Sequence, residues 1–177
     1  MNHTSLKTPH LTITPTGLNY LEILLNDKRE LEPLLGVKVP ESYPESADAL
    51  PWFCGLMRDD PSLLGWLHFH AIHDERQTLV GDGGFKGKPD QTGLVEIGYS
   101  IVPEFRGRGY ATEIAQALIA YAFSHPEVST VAAHTNVDNI GSIKVLERAG
   151  MKIVGEVEDS EDGRLWQWRL TREEYRS

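Results

Sequence analysis

The sequence predicts an α/β domain of the α+β kind, and three observations carry that prediction. Three short strand-like runs follow one another between Trp66 and Val102 with only turn residues between them, the pattern of an antiparallel meander. The last of these runs passes through a glycine-rich segment, Arg106-Gly107-Arg108-Gly109, straight into a helix-periodic stretch. Two more strand-like runs close the chain after a second short helical stretch. A chain of 177 residues suits one domain with its own hydrophobic core, so residues 1–177 are expected to form a single domain.

Residues 1–10 are polar and are expected to fray. Leu11-Thr12-Ile13-Thr14 alternates as a strand should, and Pro15 ends it. Thr16 is placed to cap a helix from Gly17 to Asn26, with Leu18, Leu21 and Leu25 on one face. Glu30 to Leu35 predicts a second short helix, and Gly36 to Pro44 reads as loop. Ser46 or Asp48 is a candidate cap for a helix carrying Trp52, Phe53, Leu56 and Met57, which stops before Asp60-Pro61. The meander strands are expected at Trp66–His73, Gln77–Phe85 and Gly93–Val102. Ala111, Ile114, Ala115, Leu118, Ala122 and Phe123 then recur at helical spacing up to Pro126. Thr130 to Thr135 is a short apolar strand. The Asn139 segment reads as loop and helix, with Gly150 in the place of a C-cap glycine. Lys152–Val157 and Leu165–Leu170 predict the last strands, joined by the acidic turn Glu158 to Gly163.

The balance of charge narrows the function classes. Formal net charge is −9, which argues against a general nucleic-acid binder and is compatible with a cationic or amine ligand. Cys54 is the only cysteine, so no intrachain disulfide is expected, as suits a reducing cytoplasm. The segment Met1 to Lys7 lacks the apolar core of a signal peptide, and no apolar run is long enough to span a bilayer. A cytoplasmic protein, monomeric or homodimeric and without membrane contact, is the expectation.

The glycine-rich segment is where chemistry is expected. Small residues let an anion approach the backbone closely, and the first N–H groups of a helix have no intrahelical partner. The helix dipole and two arginines add positive charge in an acidic chain. A Walker A loop is excluded, because no Lys-Ser or Lys-Thr follows these glycines. A dinucleotide fingerprint is incomplete, since Thr112 stands in the third glycine position. A plain β–α turn, in which the glycines only permit a tight bend, remains open for a bare Gly-x-Gly.

The residues around the loop extend the pattern. Arg106-x-x-Gly109-x-Ala111, preceded by a hydrophobic strand carrying Glu96, resembles the acetyl-CoA signature of the GCN5-related N-acetyltransferase (GNAT) superfamily. Asn139-Ile140-Gly141-Ser142 through Gly150-Met151 resembles that family's later motif, an Asn followed by a short helix ending in Gly-Phe. The resemblance runs from about Gly65 to the C-terminus. It implies a mixed, mostly antiparallel central sheet flanked by helices. It also implies acetyl-CoA as cosubstrate and direct attack by a primary amine in a ternary complex. The Asn139-x-x-Ser142 pattern is similar to the branch acting on ribosomal-protein N-termini.

Carried onto this chain, the resemblance assigns roles residue by residue. Glu96 is the candidate general base, against the plainer alternative of a surface or substrate-anchoring carboxylate. The backbone N–H groups of Ile101 and Val102 are expected at the thioester carbonyl and pantetheine, where the strand splays from its neighbour. Arg106, Gly107, Arg108, Gly109, Tyr110 and Ala111 are expected at the pyrophosphate, and Pro103 helps to set the loop's direction. Many relatives place a tyrosine seven residues after the motif asparagine to protonate the leaving thiolate. Here that residue is Leu146, and Ser142 is the substitute, with first-turn capping as its alternative. Asn139 is expected to contact cofactor through its amide, or else simply to form a turn. The acceptor is a small-molecule amine, a protein N-terminus or a lysine. A non-catalytic acetyl-CoA-binding module is the alternative function.

Three other features invite a plainer account. His68 and His70 share a strand face with Trp66, but no third ligand has a suitable spacing, so no metal is expected. Cys54 sits among apolar residues and reads as core. Trp166 and Trp168 share one strand face, as core or as a substrate wall.

Overall fold

A computed structural model describes residues 5–177. Eight strands form one sheet: β1 Leu6–Lys7, β2 Leu11–Pro15, β3 His68–His73, β4 Thr78–Phe85, β5 Leu94–Ile101, β6 Thr130–Asn136, β7 Lys152–Asp159 and β8 Gly163–Thr171. Their spatial order is β1-β2-β3-β4-β5-β6-β8-β7. Every neighbouring pair is antiparallel except β5 and β6. The helices are α1 Leu18–Asp27, α2 Leu31–Leu35, α3 Leu50–Asp59, α4 Tyr110–Ser124, α5 Ile140–Arg148 and α6 Arg172–Arg176. The mixed, mostly antiparallel sheet expected for this chain is therefore its architecture, and helices cover both faces.

Alternation along the strands explains the two cores. On one face Phe69, Val80, Ile97, Val131 and Trp168 meet Ile114 and Leu118 of α4 and Leu146 of α5. On the other, Leu67, Leu79 and Val102 meet Leu21 and Leu24 of α1, Leu31 of α2, and Leu50, Cys54 and Met57 of α3. Helix α4 lies tight against β4 because Gly83 has no side chain. A Cβ there would sit 2.9 Å from Ile114 and 3.1 Å from Leu118.

Several local expectations gave way to tertiary partners. The end of the chain does not fray from residue 5 onward, while residues 1–4 of that expectation lie outside the described residues. Leu6 and Lys7 pair with Ile13 and Thr12, and His10 Nδ1 lies 2.6 Å from Glu113 of α4. Thr16 does not cap α1; its hydroxyl is 2.8 Å from His68 Nδ1. Ser46 caps no helix either, because its hydroxyl donates to Asp82 at 2.8 Å. Trp66 and Leu67 precede β3 rather than opening it, with the Trp66 N–H held by Leu63 O in a turn. Helix α6 follows the capping box of Thr171 and Glu174, a Thr-x-x-Glu pattern present in the sequence.

Candidate active site

The parallel contact between β5 and β6 is brief. It runs Leu94↔Thr130, Val95↔Val131 and Glu96↔Ala132, and stops. Beyond that point β5 stays with β4 as far as Ile101, while β6 stays with β8 as far as Asn136. The sheet therefore opens between its two central strands. An opening of this kind leaves backbone groups that have lost their ladder partners.

A groove of about 640 Å³ extends from this opening across the N-terminus of α4 to α5. Its walls include Tyr99, Ile101, Arg106, Gly109, Asn139 and Ser142, so the two sequence motifs meet in one place. Gly107 and Gly109 both adopt left-handed backbone angles, φ +71° and +86°, which an L side chain would resist. Gly109 is the N-cap of α4 and offers no side-chain acceptor, so the first-turn N–H groups of the helix face the groove unclaimed by a cap. Thr112 Oγ1, which also borders the groove, is buried and lacks a partner among the described residues. Glycine cradle, helix terminus and orphan hydroxyl together fit a pyrophosphate-bearing ligand.

Individual residues divide according to where their atoms go. Val102 N–H donates to Val80 O at 3.0 Å, and its side chain is fully buried under α1–α3. Val102 therefore has no N–H to offer a cofactor, contrary to expectation. By strand alternation the Ile101 N–H points the other way, into the opening. Arg108 is not among the groove's walls, and its guanidinium lies 6.0 Å from the centre of the ring of Phe105, which is. Arg106 stays on the groove, where Nε donates to Ile101 O at 3.0 Å and Nη2 meets Glu45. Tyr110 donates its N-terminal backbone position, while its hydroxyl is 2.8 Å from His73 Nε2 in the core. Ala111 lines the groove.

Asn139 does cap α5: its Oδ1 accepts from the Ser142 N–H at 3.1 Å. Asn139 also stands on the groove wall. Ser142 lines the groove in the first helical turn, and Tyr99 donates its hydroxyl to Ser142 O at 3.4 Å. Burial pushes the Tyr99 phenol up to about 12, against the smaller opposing effect of that hydrogen bond. Leu146 is fully buried in the core, so the position used by tyrosine in many relatives serves packing here.

Glu96 faces the opposite way from Tyr99 and Ile101 on β5 and shares its strand face with Ser100, which also borders the groove. Its Oε1 is 2.9 Å from His134 Nδ1 of β6, and the Lys86 ammonium takes the same oxygen. The sequence contained these partners but not the register that joins them. Nearby on that face is a buried polar cluster. Asp82 accepts from Ser100 at 2.6 Å and from Ser46 at 2.8 Å, with His68 Nε2 3.7 Å away. Burial alone would raise the Asp82 carboxyl, but His68 and the two hydroxyls outweigh it and hold it below the ordinary range. Burial pushes His70 down to about 3. His68 and His70 are thus packed beside Tyr20, with ring centroids 6.0 and 5.0 Å away. Cys54 is buried and its thiol is pushed up by that burial, as befits a packing residue. Trp168 is core and donates to Thr135 Oγ1 at 2.9 Å.

Comparison with known proteins agrees with this geometry. Residues 20–152 match the sequence model of the acetyltransferase (GNAT) domain. The chain is 30% identical over 147 residues to a Bacillus subtilis (strain 168) protein named as the uncharacterized N-acetyltransferase YjdG, covering 82% of this chain and 88% of that protein. Over 64 residues it is 42% identical to the putative ribosomal N-acetyltransferase YdaF of the same organism, covering 36% and 35%. A solved structure of RimL, a ribosomal L7/L12 alpha-N-protein acetyltransferase in complex with coenzyme A, superposes with a TM-score of 0.70 at 14% identity, covering 95% of this chain and 98% of that one. At that identity the likeness is one of fold.

Proposed function

Because the chain belongs to the GNAT acetyltransferase family, we propose that this enzyme, acting as a single cytoplasmic domain, moves the acetyl group of acetyl-CoA onto a primary amine by direct attack in a ternary complex. The observation that carries this reading is the groove, which runs from a glycine-cradled helix terminus to an opening between β5 and β6. A helix N-terminus favours phosphate, and a parted sheet offers backbone donors to an extended ligand.

When bound, acetyl-CoA supplies the activated thioester. Gly107, Gly109 and the first turn of α4 hold the pyrophosphate, assisted by Arg106 and the Asn139 amide. The Ile101 N–H, directed into the opening, is placed to stabilise negative charge developing on an acyl oxygen. Glu96 supports removal of the amine proton. Ser142 is the hydroxyl placed to serve the leaving thiol. The acceptor is a small amine or a protein amino group. The names of YdaF and RimL favour testing a protein N-terminus first.

The test is release of free thiol from acetyl-CoA in the presence of spermidine, a lysine-containing peptide and short peptides with free N-termini. Amine-dependent thiol release with matching acetylated product supports the proposal. Tight coenzyme A binding with no turnover on any acceptor overturns it in favour of a non-catalytic binding module.

A further inference from the structure

Glu96 does not stand alone on its face of the sheet. Strand register makes Glu96 the partner of Ala132, and His134 lies two residues further along β6. Two residues is one strand period, so Glu96 and His134 project to the same side. Ala132 is also the last β6 residue paired to β5, which puts His134 on the flank of the opening. The carboxylate can only accept, so the 2.9 Å contact fixes the proton of His134 on Nδ1 and leaves a lone pair on Nε2. Gln167 of β8, the cross-strand partner of His134, sets its amide nitrogen 3.5 Å from Nε2, a long contact that an acceptor amine would have to displace. His134 is also the more exposed of the two, its side chain 27% accessible against 19% for Glu96.

We propose that His134 is the group that takes the proton from the acceptor amine, with Glu96 as the positioning residue that holds its ring and tautomer. The inference rests on the acetyltransferase reading of this site and refines its proton step. Imidazole is the side chain best matched to proton exchange near neutral pH, and a carboxylate behind it stabilises the imidazolium that forms. The acceptor nitrogen forms its bond to the acyl carbon, and the carbon–sulfur bond breaks with its electron pair on sulfur. The proton lost by nitrogen goes to His134 Nε2, and the thiolate takes one proton from Ser142 or solvent. His134 later returns its proton to solvent, which also replaces any proton lost by Ser142. The charged and titratable groups around the ring are Glu96 of β5, Lys86 after β4, Asp159 at the end of β7 and Arg169 of β8, which shares the Gln167 face. Lys86 binds the same Glu96 oxygen as His134, so it helps to fix the carboxylate.

The experiment measures thiol release, acetyl-CoA affinity and the pH profile of kcat/KM for the wild type, His134→Gln, Glu96→Gln and the double variant, on one acceptor that the wild type uses. Expected for His134→Gln is a fall in kcat/KM of roughly 10²–10⁴-fold with acetyl-CoA affinity nearly unchanged, and loss of the acidic limb of the profile. Glu96→Gln should cost less, and should add little on top of His134→Gln, because both act on one proton. His134→Ala should recover part of its activity in buffer containing imidazole, which a merely structural role would not allow. This variant also covers the case in which His134→Gln folds poorly. Wild-type rate and pH profile in His134→Gln, beside a crippled Glu96→Gln, would return the proton to Glu96 alone and overturn the inference while leaving the acetyltransferase reading intact. No amine-dependent thiol release by the wild type would overturn that reading, and the inference with it.

Discussion

Glu45 holds the arginine proposed to assist pyrophosphate binding. Arg106 Nη2 contacts Glu45 Oε2 at 2.5 Å, so an anion at the α4 terminus competes with Glu45 for the guanidinium. The perturbation is Glu45→Gln, which keeps the side-chain shape and removes the charge. Arg106 is 55% accessible and Glu45 37%, and an ion pair that open to water is worth at most about 1 kcal/mol. Releasing Arg106 from it should therefore tighten coenzyme A binding by up to about fivefold. Removing a negative charge beside an anionic ligand acts in the same direction and is screened by salt. The assay is titration calorimetry of coenzyme A with both proteins at low and high ionic strength. We expect the dissociation constant to fall two- to fivefold, the gain to shrink with added salt, and no gain from Glu45→Gln in an Arg106→Ala background. A folded Glu45→Gln protein that binds coenzyme A no better than wild type would refute the competition.

Two other perturbations probe the backbone and the buried face. Gly109→Val should weaken coenzyme A binding at least about tenfold. A Cβ at Gly109 meets nothing within 4 Å, so the damage comes from forcing a β-branched residue to φ +86° at the helix cap. Unchanged affinity in a folded variant would detach the loop from the cofactor. His70 is held uncharged by burial, with His68 adding to the effect, so the unfolded chain binds the extra proton more readily. Its folded pKa, about 3, lies below the unfolded value, so stability should fall as pH drops below about 6.5, by up to about 1.4 kcal/mol per pH unit. His70→Leu should flatten this fall in urea unfolding between pH 7 and 5. Parallel curves for the two proteins would refute the assignment.

The elements legible in the sequence were those with a local cause. The meander strands alternate, α4 carries its apolar stripe, and Gly107 and Gly109 announce a backbone that L side chains avoid. Boundaries failed where a polar residue had a distant partner stronger than its local one. Thr16 and Ser46 both have the chemistry of helix caps, and both turn instead to His68 and Asp82 on the sheet. A hydroxyl inside a protein goes where a buried acceptor would otherwise stand unsatisfied, and nothing in the nearby sequence states where that acceptor lies.

The same division runs through the active site. The proposed cofactor side is built on one strand–loop–helix unit and one short helix, so residue spacing alone brings its members to one groove. The Val102 N–H went elsewhere because its direction depends on the neighbouring strand. The proposed acceptor side is assembled from the turn after β4 and from β5, β6 and β8. Lys86, Glu96, His134 and Gln167 come together solely through register, and a one-residue slip between β5 and β6 would turn Glu96 and His134 to opposite faces. That register is held by only three parallel pairs. The parting of the strands beyond them also makes the opening, so the short contact that opens the sheet must at the same time fix the pair proposed to handle the proton.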